Sequence, residues 1–166
     1  MQGAKASRLY KGRPLFEYGW GLLGNLCKRR VWLGDCPDVV PPSGALCLDD
    51  PGQGPLGAIL AALNESSTPW NLILAVDYPE LTLEILKTLP LRTGALAVLP
   101  RAAGQPHPLC GYYHRGLAGS LQRCWEQGER SVLRALEGVD WVDFSDSSGF
   151  CNVNQPSDLK QASDRH

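Results

Sequence analysis

The sequence lacks an excess of charge of either sign. Sixteen lysines and arginines against 17 aspartates and glutamates leave a formal net charge of −1 over 166 residues. Such a chain has no long-range attraction for nucleic acid or for an anionic membrane surface, so neither is expected as a partner. A phosphate ligand would have to be held locally, by lysines, backbone N–H groups and metal. The sequence also lacks a C-x-x-C pair. Its six cysteines, Cys27, Cys36, Cys47, Cys110, Cys124 and Cys151, stand apart, which removes zinc-binding and thioredoxin-like readings. The opening MQGAKASRLYKGRP has no apolar signal-peptide core. Several cysteines fall inside apolar runs, where cysteine serves as a small buried hydrophobe. The thiols are therefore read as reduced and the chain as cytoplasmic. No uncharged apolar run approaches the ~18 residues of a membrane span. There is no internal repeat and no P-loop of the form G-x-x-x-x-G-K-[ST]. No Ser-His-Asp or Cys-His set has helpful spacing.

What is present is an ordinary globular composition, 43% hydrophobic and 20% charged, with 18 glycines and 13 prolines. Apolar segments recur along the whole length, so the glycines and prolines mark turns rather than disorder. The length suits one domain spanning residues 1–166. Helices are expected over 14–28, 54–64, about 80–89, 115–127, 130–137 and 156–163. Helix 54–64 has Pro55 in its first turn and an apolar stripe of Leu56, Ile59, Leu60 and Leu63. Strands are expected over 30–35, within 39–50, and over 71–77, 95–100, 109–114 and 139–144, with a loop RAAGQPHP between the fourth and fifth. The run NLILAVD at 71–77 reads as a strand buried on both faces. Alternation of strands and helices implies a Rossmann-like three-layer α/β/α fold with a mostly parallel sheet. Ligands of such sheets bind at the carboxyl ends of the strands, which puts Asp77, Asp49 and Asp50 on the functional edge. Residues 1–13 contain no buried strand, although such domains usually open with one.

Five segments could carry chemistry, each with a plainer alternative. Asp77 could hold Mg²⁺, which takes one or two carboxylates plus water and phosphate, or could cap the next helix. The stretch DDPGQGPLG at 49–57 could offer helix N-terminal amides to a phosphate, or be a simple loop-to-helix junction. Lys5, near Arg8, Lys11 and Arg13, could neutralise phosphate charge, or belong to a solvated basic segment. His107, between Pro106 and Pro108, is held in a restricted backbone and could serve a ligand or only a turn. Asn152 and Asn154, two apart, would present two amides to one side if extended, or form Asx turns.

Seven segments in order are MQGAKA (1–6), GRPL (12–15), DDPGQGPLGAI (49–59), VDYPELT (76–82), QPHPL (105–109), GERSVLRAL (128–136) and FCNVNQPSDL (150–159). This series resembles the molybdenum cofactor guanylyltransferase family. The resemblance implies a nucleotidyltransferase that moves GMP from GTP to molybdopterin-bound molybdenum, with Mg²⁺ as cofactor. It implies that Lys5 contacts the nucleotide phosphates, that Asp77 binds the metal, and that Asp49, Gly54 and Pro55 help hold GTP. His107, Pro108, Asn152 and Asn154 would lie near the second substrate, and molybdoenzyme chaperones are implied as partners. Met1 aligns with the methionine of the family's opening motif, so the family's first strand and Gly-rich loop fall before this chain's first residue. Ala4 stands where the family has aspartate, and Gly34-Asp35 where it often has asparagine. A non-catalytic relative that binds molybdopterin or a molybdoenzyme is the alternative.

Overall fold

The computed structural model describes residues 3–34, 39–50, 52–92, 94–136 and 139–153. Asp35, Asn154 and the helix expected over 156–163 lie outside the described residues. The elements in chain order are α1 (Gly3–Ala6), β1 (Leu9–Tyr10), β2 (Arg13–Pro14), α2 (Leu15–Leu26), β3 (Val31–Leu33), β4 (Leu46–Leu48), α3 (Pro55–Glu65), β5 (Trp70–Leu74), α4 (Leu83–Lys87), β6 (Ala97–Ala102), β7 (Gln105–Pro106), β8 (Cys110–His114), α5 (Ala118–Glu126), α6 (Val132–Ala135) and β9 (Asp140–Phe144). Strands and helices alternate as expected, and the fold is α/β.

Side chains of the main sheet alternate between two apolar layers, as the period of two requires. One layer holds Ala97 and Leu99 of β6 and Tyr113 of β8, packed against Leu56, Ile59, Leu60 and Leu63 of α3 and Leu121 of α5. The other holds Val98 and Ala102 of β6 and Cys110 of β8, against Leu86 of α4 and Leu22 and Leu26 of α2. The apolar stripe of α3 is therefore buried in full, and each such side chain contributes roughly 1.5–3 kcal/mol on leaving water. The three-layer arrangement follows.

The sheet is mixed, not mostly parallel. β8 pairs antiparallel with β5 on one edge and with β6 on the other, while β9 adds parallel to β6. Thus β5, β6 and β9 run one way, and β8 and the short β7 run against them. The reason is the short link from β6 to β8. A parallel return needs a crossover of a dozen or more residues, and this link has none. The stretch expected as a loop instead continues β6 and turns at Ala103-Gly104, with φ of 47° and 78°, into β7, where Ala102 faces Gln105. Two consecutive left-handed residues make the tight turn that matches strand twist. β3 and β4 form a separate parallel pair. All five residues of β5 are only half-buried, unlike the doubly buried strand expected from its composition. Among the described residues it pairs with β8 alone.

β6 and β8 approach closely at Gly111, where a Cβ would stand 2.7 Å from the Val98 carbonyl oxygen and 2.8 Å from Leu99 Cδ2. In contrast, a Cβ at Gly21 in α2 would meet nothing within 4 Å. Gly111→Ala is expected to cost ~1–3 kcal/mol through overpacking. Gly21→Ala is expected to stabilise by ~0.4–1 kcal/mol by restricting the unfolded chain. Urea unfolding of the two variants checks the opposite signs, and a neutral Gly111→Ala would contradict the tight β6–β8 contact.

Candidate active site

The carboxyl ends of β5, β6 and β9 open onto one edge, and the strands' geometry gathers residues there that are remote in sequence. Asp77 follows β5 in a turn. Its Oδ2 accepts a hydrogen bond from Lys5 Nζ at 2.8 Å, and the two side chains are 14% and 25% exposed. The partner lysine comes from α1, 72 positions away. The Asp77 carbonyl accepts from the Val153 N–H at 3.0 Å, so the segment after β9 is laid across the end of β5. Asp77 Oδ1 is buried and has no hydrogen-bond partner among the described residues. An unsatisfied buried acceptor costs on the order of 1–3 kcal/mol, so this oxygen is suited to an incoming cation or donor.

Tyr78, beside Asp77, is buried, with 6% of its surface exposed. Its hydroxyl lies 3.3 Å from His107 Nδ1, and the Asn152 side chain also hydrogen-bonds to it. Burial, followed by the nearby Asp77 charge, pushes the Tyr78 phenol well above its usual range. It therefore keeps its proton. Burial lowers the His107 pKa, with the Asp77 charge acting the other way, so the ring is neutral at pH 7. Phe150 stacks on the imidazole at 5.0 Å between centroids. The His107 N–H donates to the Pro100 carbonyl at 3.0 Å, and the Pro108 carbonyl accepts from the buried Tyr113 hydroxyl. Pro108 thus serves the site through its backbone, by fixing the segment that carries His107.

The structure joins Lys5, Asp77, His107 and Asn152, with Pro108 behind them. Asp49 and the turn to Gly54-Pro55 stand at the end of a different strand, β4. Asp49 is exposed. Asp50 Oδ1 accepts from the Gly52 N–H at 2.9 Å. Gly54, at φ 97°, precedes Pro55, the first residue of α3. Residue-type patterns missed Tyr78, Phe150, Tyr10 and Glu80. Glu80 accepts from the Tyr10 hydroxyl and pairs with Lys11 at 2.8 Å, tying the β1–β2 hairpin to the residues after Asp77. The signal for Tyr78 was its place directly after Asp77. Nothing in the sequence alone pairs Tyr10 with Glu80.

A single carboxylate with one unused buried oxygen fits Mg²⁺, which fills its remaining positions with water and substrate phosphate. Among the described residues no group of three His, Cys, Asp or Glu side chains could hold a metal by themselves. The five described cysteines are free thiols. No described helix is long and apolar enough to cross a membrane.

The lowered His107 pKa fixes the sign of a pH effect. Folding disfavours the protonated ring, so this group's full contribution is present above its unfolded value near 6.5 and is lost as pH falls through that value towards the lower folded one. Thermal unfolding between pH 7.5 and 5 is expected to show falling stability, and His107→Phe, which keeps the stack on Phe150, is expected to flatten the slope. An unchanged slope in His107→Phe would assign the effect to another group.

Comparison with known proteins bears on the fold and the family. Residues 1–139 match the family described as MobA-like NTP transferase domain. A probable molybdenum cofactor guanylyltransferase of Deinococcus radiodurans is 31% identical over 170 residues, covering 97% of this chain and 86% of that protein. The Nostoc protein of the same name is 33% identical over 178 residues, with 96% and 86% covered. Among solved structures, the molybdopterin-guanine dinucleotide biosynthesis protein A of Archaeoglobus fulgidus superposes with a TM-score of 0.75 at 26% identity, over 95% of this chain and 88% of that one. The 2-C-methyl-D-erythritol 4-phosphate cytidylyltransferase of Thermus thermophilus shares the fold, with a TM-score of 0.75 at 18% identity over 96% and 92%. The chain is a nucleotidyltransferase by descent and belongs to the MobA-like NTP transferase family.

Proposed function

We propose that the protein transfers GMP from GTP to molybdenum-bound molybdopterin, forming the guanine dinucleotide form of the cofactor and releasing pyrophosphate. The observation that carries this reading is the Lys5–Asp77 pair at the end of β5, with its second carboxylate oxygen buried and unused. The relatives named above support the choice of substrates, and they give no support to a non-catalytic role.

In the reaction a phosphate oxygen of the pterin attacks the α-phosphorus of GTP. A new P–O bond forms there, and the bond to the β-phosphate oxygen breaks, with pyrophosphate leaving in line. Bound at Asp77, Mg²⁺ would supply neutralisation of phosphate charge. Lys5, held in place by Asp77, is a preorganised cation that neutralises the charge developing on the phosphates. Asp49 and the Gly54-Pro55 turn hold the nucleotide at the start of α3. His107 and Asn152, with Asn154 as its sequence neighbour two positions on, would contact the pterin through hydrogen bonds.

Asp77→Asn keeps the shape of the side chain and removes its charge. Mg²⁺-dependent GMP transfer is expected to fall on the order of a hundredfold or more, with a cooperative melt retained. Undiminished transfer in the folded variant would dismiss the metal role. Asn152→Ala combined with Asn154→Ala is expected to weaken molybdopterin binding more than GTP binding, measured by titration of each ligand. Equal losses would mean that the pair is structural and does not recognise the pterin.

A further inference from the structure

The corner between α5 and α6 carries a charge arrangement that the reaction above does not use. Gly128, at φ 86°, ends α5 in the left-handed conformation that favours glycine. Glu129 then turns back. Its Oε1 accepts from the backbone N–H groups of Arg130 at 2.8 Å and Ser131 at 2.6 Å, and its carboxylate is gripped by Arg134 at 2.7 and 2.9 Å. These contacts hold the Glu129 pKa down at about 2, so the corner stays ionised and fixed.

Arg130 projects from this corner. Its guanidinium lies 3.9 Å from the Trp125 ring centroid, and Nη1 donates to the Trp125 and Glu129 carbonyls at 2.9 and 2.8 Å. With ring and carbonyls fixing its plane, Nε donates across 77 positions to Gln53 Oε1 at 3.1 Å. Gln53 sits between Gly52 and Gly54, both at positive φ. Two such glycines give a turn little stiffness of its own. α3 and α5 pack in one layer, so the tether joins adjacent elements.

We infer that Arg130 is a positioning residue that sets the Gly52–Gly54 turn, through Gln53, in the shape that receives the nucleotide at the start of α3. This rests on the proposed GTP site but adds a residue that does not itself touch the nucleotide. A lysine in its place would keep the charge and lose the planar fork and the stack.

The test compares Arg130→Gln, Arg130→Lys, Gln53→Ala and the Arg130→Gln/Gln53→Ala double variant in the full chain. Two readouts are taken: titration with GTP in the presence of Mg²⁺, and amide hydrogen exchange of the 50–55 segment without nucleotide. Each single variant is expected to weaken GTP binding roughly three- to tenfold, the range for one or two lost net hydrogen bonds. The double variant should be no weaker than the worse single one, and exchange in the turn should quicken in all of them while the melting temperature holds. Three results overturn the inference and leave the GTP site standing: Arg130 and Gln53 effects that add, Arg130→Lys binding like the parent, or faster exchange with unchanged GTP affinity. A parent chain that binds no GTP removes the proposed function, and the inference with it.

Discussion

Asp77 is bound from two directions, and the site depends on both. Its carboxylate holds Lys5 from the start of the chain, and its carbonyl holds Val153 from the far end. β5 delivers Asp77 to the sheet edge, α1 brings the ammonium, and the segment after β9 brings Asn152 to Tyr78. An exposed ion pair contributes little to stability, but this one is largely shielded and brings together parts of the chain that share no hydrogen-bonded strand pairing. The unused Oδ1 is the cost of that arrangement. A sequence selected only for stability would have satisfied it or replaced it with an apolar side chain.

The Tyr78–His107 contact adds a second constraint. The buried Tyr78 hydroxyl shares a hydrogen bond with Nδ1 of His107 and so fixes one side of the ring. Phe150 stacks on the imidazole, and Phe144 lies against Phe150 at 5.1 Å. The orientation of His107 is thereby passed down to the end of β9. Prolines flank His107 in sequence, but the aromatic side chains from other elements hold its ring.

Much of this was legible in the sequence where local pattern decides the outcome. The stripe of Leu56, Ile59, Leu60 and Leu63 announced α3, Pro55 announced its first turn, and the apolar run before Asp77 announced a strand, although that strand stops at Leu74 and Asp77 stands in the turn after it. What the sequence did not show were pairings between distant residues. The direction of β8 is set by the turn at Ala103-Gly104, where an alanine rather than a glycine or asparagine takes the first left-handed position. The partnership of Lys5 with Asp77 has no signature in either segment, because ion pairing depends on where strands deliver side chains. Tyr78 looked like part of a loop until the fold brought His107 and Asn152 to it.

The insertion of β8 between β5 and β6 also bears on the order in which the chain can assemble. β6, β7 and β8 are contiguous and need only small loops to close, so their loop entropy is low. β5 cannot join until β8 is in place, and β9 must add to the opposite edge of β6 from far along the chain. Non-local pairings of this kind are slow to form. The hairpin around Ala103-Gly104 is thus the natural nucleus, while Lys5, Asp77, His107 and Asn152 meet only when both flanks have docked. The edge that gathers these four residues is among the last parts of the molecule to exist, so a partly folded chain does not hold them together.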